Sequence, residues 1–161
     1  ASVFANMSLF TIGESKWAWK QVEKSLPITH KFINTTPFVM SNQYCENEEY
    51  CLDGDSLYEW TSGSNPTMLR TFYKFGFGIC PDVDFLRVAP AKIQPSDEGR
   101  VHLVFLGNKV TVNYRNENSD MRRFFVDGKE VESGYDALSD TRYIKIAKAD
   151  IKGDIVIDVI D

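Results

Sequence analysis

Apolar residues recur at helical spacing in the N-terminal part of the chain. One apolar stripe predicts a buried helix that ends at Gly13. Its members are Val3, Phe4, Met7 and Phe10. Ser15 is placed to cap a second helix, which Pro27 ends. The apolar face of this second helix consists of Trp19, Val22 and Leu26. A short turn between the two segments predicts an antiparallel helix pair.

A third helical pattern follows an irregular stretch, residues 27–56, in which the periodicity is lost. An irregular stretch of this length in a compact domain is usually functional or mobile. Asn65 is a favourable N-cap and Pro66 suits the first helical position, so we expect a helix to begin here. The residues expected on its buried face are Leu69, Phe72 and Tyr73, and those expected to end it are Gly76, Gly78 and Pro81.

Beyond Pro81 the apolar period changes from that of a helix to the alternation of a strand. The predicted strands are Phe85–Val88, Val101–Leu106, Val110–Tyr114, Arg122–Val126, Tyr143–Ala147 and Ile155–Ile160. Asp127-Gly128 is a strong hairpin signal. The chain is therefore predicted to be α+β, with helices followed by an antiparallel β-sandwich and a boundary near residues 78–83.

The chain of 161 residues is 43% hydrophobic and 25% charged, which is typical of a folded globular protein. Its apolar runs, such as Val101–Gly107 and Ile155–Ile160, are far shorter than the roughly 20 residues of a membrane-spanning helix. We therefore expect a soluble protein that crosses no membrane. The net charge of -5 and the absence of a dense basic cluster beyond Arg122-Arg123 argue against nucleic acid as a partner.

The three cysteines and two histidines offer little material for covalent or metal chemistry. Cys45 and Cys51 could form a disulfide, but idle thiols in a reducing compartment are the simpler interpretation, and Cys80 is unpaired in either case. A metal site would need the scattered His30 and His102 to converge, and none is expected. No Ser/His/Asp or Cys/His arrangement has the spacing of a nucleophilic site.

The turn from Ser62 to Asn65 is the most informative candidate for binding. Its small residues leave backbone N–H groups free at the positive end of a helix, the arrangement that binds phosphate or carboxylate. Ser62 and Ser64 add hydroxyl donors. An ordinary helix cap has the same local pattern, so both interpretations stay open. Trp60, just before the turn, could stack against a sugar or pack in the core.

Several short motifs occur in a recognisable order along nearly the whole chain. They are Ala18-Trp19, Leu26–His30, Thr36–Met40, Trp60–Ser64 and Phe77–Pro90. In combination they resemble the C-terminal portion of the inverting disaccharide phosphorylases, the family 94 glycoside hydrolases that include cellobiose and chitobiose phosphorylases. The resemblance implies that residues 1–80 are the last helices and an active-site loop of an (α/α)6 barrel. It also implies that residues 81–161 are a jelly-roll-like β-sandwich.

The family's activity implies a role for the turn at Ser62. Such enzymes cleave a β-linked disaccharide with inorganic phosphate as nucleophile, and an Asp acid protonates the leaving oxygen. Aligned on Met68–Arg70, the phosphate-binding positions of the family fall on Ser62 and Gly63. A Gln that contacts phosphate in some members corresponds to Gln43, with the neighbouring Asn42 as the alternative. Trp60 would lie beside the substrate. The general acid lies upstream of this sequence in the family, so the chain itself carries no catalytic residue.

Departures from the family's motifs indicate a divergent branch whose sugar is not specified. Ser62 replaces a Thr, Asn65–Thr67 replaces Ala-Gly-Trp, and Phe85 replaces a Gly. The resemblance further implies a cytoplasmic protein without a cofactor, commonly a homodimer, with phosphate and a disaccharide as ligands. The alternative is a non-catalytic β-sandwich module with a carbohydrate-binding or structural role.

We expect the chain to be a C-terminal fragment of such an enzyme, inactive by itself. The helices predicted in residues 1–80 are too few to close a barrel. An apolar face of these helices should therefore remain uncovered and favour self-association. The residues expected on that face are Val3, Phe4, Phe10 and Trp17.

Overall fold

The fold is α+β, with helices that precede two mostly antiparallel sheets arranged like a sandwich. The structure is a computed structural model that describes residues 2–25, 43–44, 56–57 and 64–161. Within the described part of the chain, no helix combines the length and the apolar character that a membrane span requires.

The two predicted N-terminal helices are confirmed. Helix α1 spans Ser2–Thr11 and helix α2 spans Ser15–Ser25, and Gly13 (φ 82°) turns the chain between them. The predicted uncovered face is correct for Phe4 (67% exposed) and Trp17 (54% exposed), but wrong for Phe10, which is 4% exposed. Phe10 is buried because it packs edge-on against Trp19 of α2, with ring centroids 5.0 Å apart. Leu26 and the side chain of Val3 lie outside the described residues.

The third helix begins one residue earlier than predicted and buries a different face. Helix α3 spans Ser64–Arg70 and continues into a π-helical turn, Thr71–Gly76. The prediction is wrong for Leu69 and Tyr73, which are 59% and 44% exposed. Phe72 is partly buried against the helical core as predicted, and Met68 and Thr71 are buried. The wide turn is closed by a 2.7 Å hydrogen bond from Phe77 N–H to Phe72 C=O. The buried positions still recur at helical spacing from Met68, so the buried face is shifted by one residue from the predicted one.

The helical part has a core of its own. In this core all three helices pack against the segment that follows the second strand of the sandwich. It consists of Phe10, Ala18, Val22, Met68 and Ala91, with Leu9, Trp19, Phe72 and Phe75 packed around them.

Eleven strands occur in the described residues. In chain order they are β1 (Gln43–Tyr44), β2 (Ser56–Leu57), β3 (Ile79–Pro81), β4 (Phe85–Val88), β5 (Glu98–Phe105), β6 (Asn108–Arg115), β7 (Arg123–Val126), β8 (Lys129–Val131), β9 (Gly134–Asp136), β10 (Thr141–Ala147) and β11 (Ile155–Ile160). The six predicted strands are confirmed with small shifts of their ends. The short strands β1, β2, β3, β8 and β9 were not predicted, because two or three residues are too few to show alternation.

The sandwich consists of a four-stranded sheet in the order β3-β4-β10-β9 and a five-stranded sheet in the order β5-β6-β11-β7-β8. The prediction of an antiparallel sandwich is wrong at one pair, because β11 runs parallel to β6. The two strands are separated by residues 116–154, which supply the long connection that a parallel pair requires. The core between the sheets includes Leu86, Val88, Val110, Phe124, Ile144 and Ile157.

A buried arginine links the segment after β4 to the end of β11. The Arg122 guanidinium forms a bidentate pair with Asp161, with a distance of 2.6 Å from its terminal nitrogen to Oδ2. The same group donates to the carbonyl oxygens of Pro90, Ala91 and Lys92. It also donates to Thr141 Oγ1 at 2.7 Å. This set of contacts, called the Arg122 clamp below, fixes the segment after β4 against the end of β11.

A first prediction concerns Gly78, which has φ +68° and lies against the segment after β4. A Cβ at Gly78 would lie 1.8 Å from the Ala89 carbonyl oxygen, so Gly78→Ala should lower the free energy of unfolding by more than about 4 kcal/mol. Gly107 is a matched control, because it has φ +80° with nothing near its Cβ position. Gly107→Ala should cost only about 1–2 kcal/mol. Urea denaturation of both variants measures the difference, and equal costs would contradict the close approach.

A second prediction concerns the pH dependence of stability. Tyr114 donates to Asp161 Oδ2 at 3.0 Å. Burial, and then the charge of Asp161, raise the pKa of Tyr114 from 10.0 to about 12. The neutral Tyr114 phenol contributes to the free energy of unfolding. This contribution is fully present below pH 10.0 and is lost as the pH rises towards about 12. The melting temperature of the wild-type chain should therefore fall relative to that of Tyr114→Phe across this interval. Parallel pH profiles of the two proteins would contradict the assignment.

Candidate functional site

The residues predicted to bind phosphate and sugar lie mostly outside the described part of the chain. Trp60, Ser62 and Gly63 are among the residues that the structure does not describe. Gln43 lies in β1, where its backbone pairs with Leu57 of β2. Helix α3 begins at Ser64, so Ser64 and Asn65, the last two residues of the predicted turn, form its first two positions. The described residues therefore define the support of this turn.

Trp19 of α2 holds the π-helical turn at the end of α3. A Cβ at Gly76 would lie 2.5 Å from Cη2 of the Trp19 ring, so only glycine allows the ring to approach this closely. The indole N–H of Trp19 donates to the Ile93 carbonyl oxygen at 2.8 Å. The ring also lies near Phe72 and Phe77, with centroid distances of 6.0 Å and 6.4 Å. Trp19 thus contacts α1, the π-helical turn and the segment after β4.

The segment after β4 completes this support through backbone and side-chain hydrogen bonds. Ala91 N–H and the Gln94 side-chain amide both donate to the Gly76 carbonyl oxygen at 2.9 Å. Ser15 is the first residue of α2 and not its predicted cap, because its hydroxyl accepts a hydrogen bond from Ile93 N–H at 3.1 Å. The Gly76 carbonyl oxygen at the end of the π-helical turn therefore accepts two hydrogen bonds from the segment after β4. These contacts hold the π-helical turn against that segment.

Cys80 of β3 is a half-buried free thiol. Its Sγ lies 3.5 Å from the Lys74 carbonyl oxygen. Burial raises the pKa of the Cys80 thiol above its ordinary value, despite the opposing charges of Lys74 and Arg87. The neutral thiol is therefore the dominant form, which is a poor nucleophile. Cys45, Cys51 and His30 lie outside the described residues.

A charged group on the surface surrounds Asp140. Lys92 Nζ and the Tyr135 hydroxyl both donate to this carboxylate, the latter at 2.7 Å. The hydrogen bond from Lys92, followed by that from Tyr135, lowers the pKa of Asp140. All three side chains are exposed, so the group stabilises the loop between β9 and β10 rather than forming a closed reaction site. No cluster of three or more His, Cys, Asp or Glu side chains suited to a metal ion occurs in the part that the structure describes.

The outer face of the five-stranded sheet carries a polar cleft that the sequence pattern does not predict. Its volume is about 700 Å³. The residues that line it include Glu98, Arg100, Asn113, Arg115 and Asp158. They belong to three strands that are distant in sequence, so only the strand register brings them together. Alternation along each strand could have indicated which side chains face outward, but not which ones are neighbours.

The chain matches no known protein-family model, and no curated protein matches it.

A third prediction tests the support of α3. Trp19→Ala removes the ring that contacts Gly76 and the hydrogen bond to Ile93, and should lower the free energy of unfolding by about 3–5 kcal/mol. Trp17→Ala, two residues away and on the exposed side of α2, is a matched control and should change it by about 0.5 kcal/mol or less. Chemical denaturation followed by far-UV circular dichroism measures both changes. A similar cost for the two variants would show that Trp19 does not anchor the helices.

Proposed function

We propose that this chain forms part of an inverting disaccharide phosphorylase and supplies one wall of its phosphate site. The observation that carries the proposal is the conformation of Phe77–Pro90, the longest segment of the resemblance. This segment forms β3, β4 and the close contact of Gly78 with Ala89 at the junction between helices and sandwich. A segment with this structural role is more specific support than any single short motif.

The proposed reaction is a single displacement at the anomeric carbon of the sugar. A phosphate oxygen forms a bond to this carbon while the β-glycosidic bond breaks on the opposite face. An acid from elsewhere in the enzyme gives its proton to the leaving oxygen, and the products are an α-sugar 1-phosphate and the released sugar. In this proposal the Ser62 hydroxyl, the Gly63 N–H group and the Gln43 amide hold the phosphate. Trp60 packs against the sugar.

The proposal assigns α1, α2 and α3 to the end of an (α/α)6 barrel. The exposed apolar side chains of Phe4, Trp17 and Leu69 support this assignment, because further helices would cover them. The described helices also pack on the sandwich through the segment after β4, as a terminal part of a barrel would. By the same resemblance, we propose a cytoplasmic, homodimeric enzyme.

A fourth prediction tests the role of Ser62 in the enzyme that carries this chain. Ser62→Ala removes one charge-assisted hydrogen bond to phosphate, worth about 1.5–3 kcal/mol, so the KM for phosphate should rise roughly ten- to a hundredfold. The KM for the disaccharide should change much less. Steady-state kinetics with phosphate and a β-linked disaccharide, scored by sugar 1-phosphate, measure both constants.

Thr61→Ala is the matched control for this experiment, because Thr61 is the adjacent hydroxyl residue. Its kinetic constants should stay near those of the wild type. If Ser62→Ala leaves the phosphate KM and kcat unchanged while Thr61→Ala raises the KM, the alignment of the turn is wrong by one residue. If the unaltered enzyme yields no sugar 1-phosphate, the proposed function is wrong.

A further inference from the structure

The polar cleft of the five-stranded sheet has short side chains at its base and longer side chains around its rim. The register pairs Arg100 with Asn113, and Asn113 with Asp158 of β11. Asn113 and Asp158 are half-buried at the centre. The longer side chains of Glu98, Arg100 and Arg115 are exposed around them. This arrangement leaves a depression between the side chains. Its volume of about 700 Å³ lies within the range of small-molecule sites.

The floor of the cleft is a row of hydrogen bonds across three strands. Arg100 Nε donates to Asn113 Oδ1 at 2.8 Å, and Asn113 Nδ2 donates to Asp158 Oδ1 at 2.9 Å. Within the described parts of the chain, neither the terminal guanidinium nitrogens of Arg100 nor Oδ2 of Asp158 makes a further hydrogen bond. Fixed donors and a fixed acceptor are therefore available at opposite ends of one short row.

The chemistry of the cleft favours an uncharged ligand that is rich in hydroxyl groups. Arg100 and Arg115 balance Glu98 and Asp158, so the four charges sum to zero. A polyanion or an acidic peptide would meet two carboxylates as well as two cations. A sugar hydroxyl both donates and accepts hydrogen bonds, and can therefore use the Asp158 oxygen and the Arg100 nitrogens together.

We propose that this cleft binds a neutral oligosaccharide, whose hydroxyl groups bridge Arg100 and Asp158 across Asn113. The site lies on the sandwich and is separate from the phosphate turn at Ser62, so it goes beyond the proposed function. Only the choice of glucans as probes rests on that function.

The test is a titration of the chain with cellotetraose and, separately, with maltotetraose in phosphate-free buffer, followed by two-dimensional ¹⁵N–¹H NMR. We expect amide shifts to concentrate at residues 98–100, 113–115 and 158 with at least one of the two sugars. Asn113→Ala should weaken that binding roughly tenfold or more, because it removes the centre of the row. Thr111→Ala, on the same strand and face but outside the cleft, should leave the affinity unchanged.

Three results would overturn the proposal. The first is an absence of shifts at these amides with both sugars at millimolar concentration. The second is unchanged affinity in an Asn113→Ala variant whose spectrum stays native-like, or in Asp158→Asn if the first variant does not fold. The third is a response of these amides to inorganic phosphate instead of to the sugars. Because phosphorolysis is not measured, this outcome is independent of the kinetic test at Ser62.

Discussion

The Arg122 clamp is the interaction on which the arrangement of helices and sheets depends. A buried guanidinium is costly unless every donor has a partner, and here the partners are one carboxylate, three backbone carbonyl oxygens and a threonine hydroxyl. These partners come from the segment after β4, from β10 and from the residue that follows β11. Loss of one partner would leave a charge uncompensated in the interior. The clamp therefore orders parts of the chain that apolar packing alone would leave free to shift.

The clamp also explains how the helices acquire a defined position. The backbone that it holds at Pro90–Lys92 continues into Ile93 and Gln94, which bind α2 and the π-helical turn. Trp19 fills the remaining space because Gly76 has no side chain. A chain of direct contacts thus runs from the end of β11 to the segment that begins at Ser64. Any ligand held at the start of α3 would be held relative to this framework.

Much of this fold follows from local sequence, and the failures have identifiable causes. Strands such as Ile155–Ile160 were predictable because apolar alternation is a local property of the chain. The buried face of α3 was not, because Met68 and Leu69 are both apolar and lie on adjacent faces of the helix, and only tertiary packing buries Met68. The parallel pairing of β11 with β6 depends on contacts far apart in sequence. For the same reason the polar cleft could not be predicted, since Arg100, Asn113 and Asp158 become neighbours only through the register.

The position of β11 has a consequence for the order in which the protein folds. This strand is the last of the described strands in chain order, yet it lies at the centre of the five-stranded sheet between β6 and β7. During synthesis the hairpins β5-β6 and β7-β8 can form as they leave the ribosome, but they have no shared neighbour until β11 emerges. Until β11 emerges, the edges of β6 and β7 that later pair with it stay open to pairing with other chains. Nascent chains that stall before residue 155 should therefore depend on chaperones far more than chains from which β11 has emerged.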